Sequence, residues 1–400
     1  MSGDVKRVLV ARAFRAFGDG AISLLLPVYL GALGFDALEI GALATATLLG
    51  SAALTLLVGV TAHRYSRRRL LLSAALLMAA TGVAFALFRD FWPLVLIAFI
   101  GTLNPSSGDV SLFLPLEQAL LSHVVTDRER TRVFAWYSLT GSLLGATGAL
   151  FAGVPDLLAR GGAVGLVPAL QAMFILYALF GLACLLLYRG LSPVAEGAGA
   201  GKSEPLGNSR RIVFTLAALF SLDAFGGGFI VQSLLALWFF ERFGLSLSTA
   251  ATIFFWTGVL SALSYLVAVP VARRIGLINT MVFTHLPSNL CLILMPLMPT
   301  LWLAIALLFV RSALSQMDVP TRSSYVVAVV TPPERAAAAS ITSVPRSLAA
   351  AVSPFLAGYL LNLSAFGWPL LVSGVLKAAY DLLLLATFRN LRPPEEKDRG

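Results

Sequence analysis

Ionisable residues interrupt several long apolar runs in this sequence of 400 residues, and they are the residues that could do chemistry. Holding a charge in an apolar environment costs free energy, so each such residue indicates a functional site or a buried ion pair. Cations and acids are equally numerous, which predicts that they pair with one another. They are Arg12, Arg15, Arg311, Arg322, Arg346 and Lys377, and Asp19, Asp109, Glu117, Asp223, Asp318 and Asp381.

The spacing of these residues predicts polar faces on two helices. Arg12, Arg15 and Asp19 are three and four residues apart, which places them on one helix face. Such a face must contact protein or water rather than lipid. We expect both faces to line a substrate and proton pathway, the alternative being fixed salt bridges within each helix. The second face combines Arg311, Ser315, Asp318 and Arg322.

Another acid, Asp223, precedes three glycines at 226–228 and then Gln232. Glycines in an apolar helix permit a bend or an unwound turn, and transporters place substrate sites at such interruptions. A buried carboxylate takes up a proton more readily when a paired arginine moves away, which links a proton gradient to transport. Asp19, Asp223 and Asp318 are therefore the leading candidates for proton coupling.

A second interruption is predicted at the Asn104-Pro105 step, because Asn and Pro are poor helix formers. Asp109 and Glu117 follow it, so the acids again lie beside a predicted break.

Other polar residues in apolar runs carry weaker signals. We expect Arg346, Lys377 and Asp381 to close gates or to pair locally, with packing favoured, and His285 to serve helix packing. Three histidines and two dispersed cysteines predict no transition-metal site. The sequence lacks a Gly-Lys-Ser/Thr nucleotide motif, so no cofactor is expected.

The composition excludes several classes of protein. Hydrophobic residues make up 58% and charged residues 12% of the chain, and its mean hydropathy is +0.86. These values exclude a soluble enzyme and a disordered chain. The net charge of +9 lies mainly in short loops, which indicates a membrane protein and no nucleic-acid partner.

Twelve runs approach the roughly 20 apolar residues that a transmembrane helix needs. With both termini cytoplasmic, the inward loops hold twenty Lys and Arg residues and the outward loops only three, as the positive-inside rule requires. The long fourth and tenth runs are expected to tilt or to be interrupted. The runs are 8–33, 39–62, 70–88, 91–122, 132–153, 163–188, 211–241, 247–271, 278–298, 301–330, 337–362 and 367–388.

The chain contains an internal repeat. Val124-Val125-Thr126 matches Val329-Val330-Thr331 at an offset of 205 residues, and the offset is 210 upstream of the Asn104-Pro105 step. We therefore predict an all-α membrane protein with two pseudo-symmetric six-helix bundles, residues 1–188 and 211–400. Residues 189–210, rich in Gly, Ala, Ser and Pro, form a predicted cytoplasmic linker.

This organisation resembles the major facilitator superfamily. The family's G-x-x-x-D-R-x-G-R-[RK] loop motif is similar to the sequence from Gly59 to Arg68, in which His63 and Ser66 replace the Asp and the second Gly. The resemblance implies that charges at this loop gate the transporter, the alternative being that its arginines only anchor the topology. The gating candidates are Gly59, His63, Arg64, Arg67, Arg68, Arg130, Arg273, Arg274 and Arg335.

The resemblance implies a monomeric secondary transporter with alternating access, closest to bacterial efflux-type members. Gly141 and Gly145 partly match a glycine motif of proton-coupled exporters. We therefore expect export of a small organic molecule or toxic anion in exchange for protons, across a bacterial-type inner membrane. The alternatives are proton-coupled uptake of a polar or anionic metabolite and a transporter-fold sensor. An enzyme is not expected.

Overall fold

The computed structural model describes residues 3–61, 65–106, 111–125, 127–162, 164–192, 207, 209–331 and 334–389. Their regular structure is helical. The helices are α1 (Gly3–Ala32), α2 (Ala37–Thr61), α3 (Arg67–Leu87), α4 (Phe91–Ile100), α5 (Phe113–Val124), α6 (Asp127–Phe151), α7 (Val154–Arg160), α8 (Leu166–Arg189), α9 (Arg210–Gly228), α10 (Gln232–Phe243), α11 (Leu247–Ile275), α12 (Leu277–Leu294), α13 (Leu301–Leu314), α14 (Asp318–Val329), α15 (Arg335–Leu363) and α16 (Trp368–Phe388).

Ten helical segments of the described residues have the length and apolar composition needed to cross a bilayer. Helices suit this environment because they satisfy their backbone hydrogen bonds internally. The first predicted span, α1, is not among the ten because charged residues lower its apolar character. The fourth is not among them because α4 is only ten residues long. The number twelve therefore stays a prediction.

The predicted interruptions are confirmed. Helix α4 ends at Ile100 and α5 begins at Phe113, and the Asn104 side-chain oxygen accepts hydrogen bonds from Ser106 N at 3.0 Å and Ser106 Oγ at 2.8 Å. These bonds stabilise a turn in place of the helix. The run with the glycines breaks between Gly228 and Gln232, and the tenth predicted span breaks between α13 and α14.

Glycines let α1 and α6 pack closely. A Cβ atom at Gly20 would lie 2.0 Å from the Gly145 carbonyl oxygen, and one at Gly141 would lie 2.3 Å from a guanidinium nitrogen of Arg12. Only glycine fits the approach to the Gly145 backbone, whereas a side chain at position 141 would displace the Arg12 guanidinium. Close helix packing therefore accounts for the glycine motif on α6 without any appeal to antiport.

The helices form two compact units. The first comprises Met1–Gly199 and Val231–Gly258, and the second comprises Ala200–Ile230 and Val259–Gly400. Helix α10 thus belongs to the first unit, where Gln232 Nε2 donates to Ser23 Oγ at 2.8 Å. The internal repeat predicts a division of the chain at 189–210, and it does not predict that α10 joins the first unit. The division at 189–210 stays a prediction.

Candidate functional site

In the first unit, the polar site is built around Glu117 on α5. The Arg15 guanidinium on α1 pairs with the Glu117 carboxylate. Tyr137 and Tyr188 donate hydroxyl hydrogen bonds to the two carboxylate oxygens, each at 2.6 Å. All four side chains are buried. A buried charge pair is tolerated when further hydrogen bonds satisfy it, and the two tyrosines provide them.

Aromatic rings surround the arginines of α1. The Arg15 Cζ atom lies 4.3 Å from the Phe113 ring centroid, and Arg12 Cζ lies 5.1 Å from that of Tyr137. Cation–π contacts of this kind lower the cost of burying a guanidinium. Asp19, on the same helix, lies 3.5 Å from the Tyr177 hydroxyl. The predicted polar face of α1 therefore contacts protein inside the first unit.

In the second unit, Asp223 on α9 contacts two cations. Its Oδ2 atom accepts from Arg322 Nη2 at 2.9 Å, and its Oδ1 atom accepts from Lys377 Nζ at 2.5 Å. Arg322 also pairs with Asp318, one turn earlier on α14. Each of these side chains is at most 10% exposed. The two acids and two cations balance, so removal of any one leaves an uncompensated buried charge.

A glycine makes room for the lysine. A Cβ atom at Gly226, one turn after Asp223, would lie 2.8 Å from Cγ of Lys377. The glycine run thus brings the α16 lysine stem against α9, in addition to permitting the helix break.

A third carboxylate of this network is Asp381 on α16. His285 Nδ1 lies 2.9 Å from Asp381 Oδ1, and Asn289 donates to Asp381 Oδ2 at 2.8 Å. The other ring nitrogen of His285 is 3.9 Å from Asp223. His285 therefore stands between two buried carboxylates. His285 joins α12 to α16 through Asp381, in keeping with the expected packing role, and Lys377 pairs across helices with Asp223.

The predicted polar face of α13 and α14 is divided. Asp318 and Arg322 join the Asp223 network, but Arg311 and Ser315 make no ion pair or side-chain hydrogen bond with residues that the structure describes. The regular helix is interrupted at 315–317, between α13 and α14, so the four residues do not share one continuous helix. Arg346 on α15 is exposed.

The structure describes the surroundings of some gating candidates and not of others. Arg68 donates to the Arg189 carbonyl oxygen at the end of α8, within the first unit. Gly59, Arg273 and Arg274 are exposed and Arg67 is half-buried. A gating role stays a prediction. His63, Arg64 and Asp109, and the side chains of Arg130 and Arg335, lie outside the described residues.

Sequence reasoning missed Tyr137 and Tyr188. Their hydroxyls lie inside predicted spans, and a hydroxyl in an apolar run is the signal that could have found them. Within the described part of the chain, no three His, Cys, Asp or Glu side chains are grouped to hold a metal ion.

Comparisons with known proteins agree with this architecture. The uncharacterized membrane protein YJR124C of Saccharomyces cerevisiae is 24% identical over 422 residues, which covers 97% of this chain and 94% of that protein. This relative gives no support to the predicted bacterial inner membrane.

Solved structures share the fold at low sequence identity. A bacterial homologue of the human lysosomal transporter Spinster has a TM-score of 0.76 and 15% identity, over 97% of both chains. The nucleoside transporter NupG has a TM-score of 0.73 and 15% identity, over 97% of this chain and 100% of that chain. The human organic anion transporter MFSD10 has a TM-score of 0.66 and 18% identity, over 96% and 99%.

The family model of the Major Facilitator Superfamily matches residues 8–319 and 218–400. Because these matches span nearly the whole chain, the protein belongs to the Major Facilitator Superfamily, and it is a multi-pass membrane transporter rather than an enzyme.

Proposed function

We propose that this chain is a proton-coupled secondary transporter that works by alternating access and exports a small organic molecule or an anion in exchange for protons. The observation that carries the proposal is the position of Asp223, a buried carboxylate held by Arg322 and Lys377. A carboxylate in such surroundings must be either paired or neutral.

The proton step follows from this condition. When Arg322 or Lys377 moves away from Asp223, the carboxylate takes up a proton and becomes neutral. When the cation returns, the proton leaves. The chain offers a place for this motion, because α9 ends five residues after Asp223 and α10 belongs to the other unit.

Export rests on the resemblance to efflux-type members, and uptake coupled to proton entry uses the same carboxylate. From the loop charges and the family resemblance we also propose twelve spans, cytoplasmic termini and a monomer. The bacterial-type inner membrane stays a prediction.

The test measures pH inside proteoliposomes that contain the purified protein, during a screen of candidate substrates. Substrate-dependent proton movement is expected, with protons moving against the direction of the substrate if the protein is an exporter. Asp223→Asn should abolish the movement. Asp90→Asn is the matched control, because Asp90 is exposed and its side chain caps no helix. Substrate flux without proton movement in the wild type would contradict proton coupling.

A further inference from the structure

The Arg322 guanidinium is only partly satisfied. It is 6% exposed, and its Nη2 atom binds both Asp223 and Asp318. Its Nε and Nη1 atoms have no hydrogen-bond partner among the described residues. A buried donor without a partner costs free energy, so a site that leaves two such donors on one guanidinium lacks an acceptor.

A second arginine lies close to this group. Arg346 lies on α15, which packs against α9 where Ser353 Oγ donates to the Phe225 carbonyl oxygen, two residues after Asp223. Its charge interacts with those of Arg322, Asp223 and Asp318. It is exposed and makes no ion pair with any residue that the structure describes. A cation in a membrane helix faces the bundle interior or a water-filled cavity rather than lipid. Arg346 therefore offers an unpaired guanidinium to water next to Arg322.

A third polar group, Tyr380, lies beside Arg322. Tyr380 is fully buried, and its hydroxyl has no partner among the described residues. Its ring centroid lies 6.0 Å from Arg322 Cζ. The nearby acids do not supply the missing acceptor, because Asp223 and Asp318 bind Nη2 alone and Asp381 is bound by His285 and Asn289.

We propose that Arg346 and the unpartnered Nε and Nη1 donors of Arg322 bind an oxyanion group of the transported substrate, a carboxylate or a phosphate. A guanidinium donates charge-assisted hydrogen bonds to such oxygens, and Arg322 has unpartnered donors on Nε and Nη1. This inference rests on the proposed transport function and narrows the substrate to an organic anion.

The test measures binding to the purified full-length protein in detergent, with no proton gradient. The probes are benzoate and phenyl phosphate beside neutral benzamide, and succinate beside succinamide. Thermal unfolding and titration calorimetry provide the readouts. At least one oxyanion should raise the Tm and the amides should not. Arg346→Gln should weaken that binding about tenfold or more, and Arg346→Lys should weaken it less.

Arg242→Gln is the control, because Arg242 is an exposed arginine on α10. It should bind the oxyanion as the wild type does. The inference is overturned if none of the oxyanions raises the Tm, if an amide binds as well as its acid, or if Arg346→Gln binds unchanged. Proton movement in proteoliposomes is a separate readout. If the protein binds the oxyanion but moves no protons, the proposed coupling is overturned and the anion site stays in place.

Discussion

Lys377 and Asp223 form a buried ion pair 2.5 Å long between helices that lie 154 residues apart in the chain. Arg322 completes the pairing from a third helix, α14. The carboxylate thus depends on two cations on two helices. A relative movement of these helices changes the charge balance at Asp223, and this connects conformational change to proton binding.

A corresponding pair in the first unit has the opposite polarity. There the cation, Arg15, is on the first helix and the acid, Glu117, follows the broken fourth span. The repeat offset of 205 residues relates Glu117 to Arg322, which is the cation in the second unit. In each half, a buried ion pair therefore joins the first helix to the helix that follows the break.

The Glu117 cluster should be a strong contributor to stability. Glu117→Gln removes the carboxylate that pairs with the buried Arg15, and we expect it to lower the free energy of unfolding by about 3 kcal/mol. Tyr137→Phe removes one hydrogen bond and should cost about 1 kcal/mol. Denaturation in detergent checks both values. Tyr65→Phe, at an exposed tyrosine, is the control and should have no effect. An equally mild effect of Glu117→Gln would show that the pair contributes little.

Helix α1 should require glycine at position 20, where it contacts α6, and should tolerate alanine at position 31. Gly20→Ala places a Cβ 2.0 Å from the Gly145 carbonyl oxygen and should destabilise the protein by about 2 kcal/mol through overpacking. Gly31→Ala, on the same helix, meets no described atom within 4 Å and should be neutral or slightly stabilising. Thermal unfolding of the two variants distinguishes them, and equal Tm values would refute the packing explanation.

Asp156 should stabilise the start of α11. Its carboxylate accepts hydrogen bonds from Ser248 N at 3.1 Å and Ser248 Oγ at 2.8 Å, where a negative charge also favours the helix N-terminus. Asp156→Ala should cost about 1 kcal/mol. Arg160→Ala, which removes only an exposed pair with Asp156, should cost about 0.5 kcal/mol or less. A double-mutant cycle of Asp156→Ala with Ser248→Ala measures the coupling, and additive effects would contradict it.

The helix breaks could be predicted from the sequence because glycine, proline and asparagine act on the local backbone. Spacing also identified Asp318 with Arg322, which are neighbours on one helix. The partners of Asp223 and Glu117 could not be predicted, because Lys377 and Tyr188 come from helices distant in the chain. The grouping of Arg311 with Asp318 assumed a continuous helix across 315–317, where the structure has a break, and it stays a prediction.

The central claim is that Asp223 carries the coupled proton, and Asp223→Asn tests it most directly. Two activities are measured with one substrate in proteoliposomes: accumulation driven by a proton gradient, and exchange of labelled for unlabelled substrate without a gradient. Exchange needs alternating access but no net proton transfer. The account predicts that Asp223→Asn loses accumulation and retains exchange, while Asp90→Asn retains both. Gradient-driven accumulation by Asp223→Asn at the wild-type level would contradict the account.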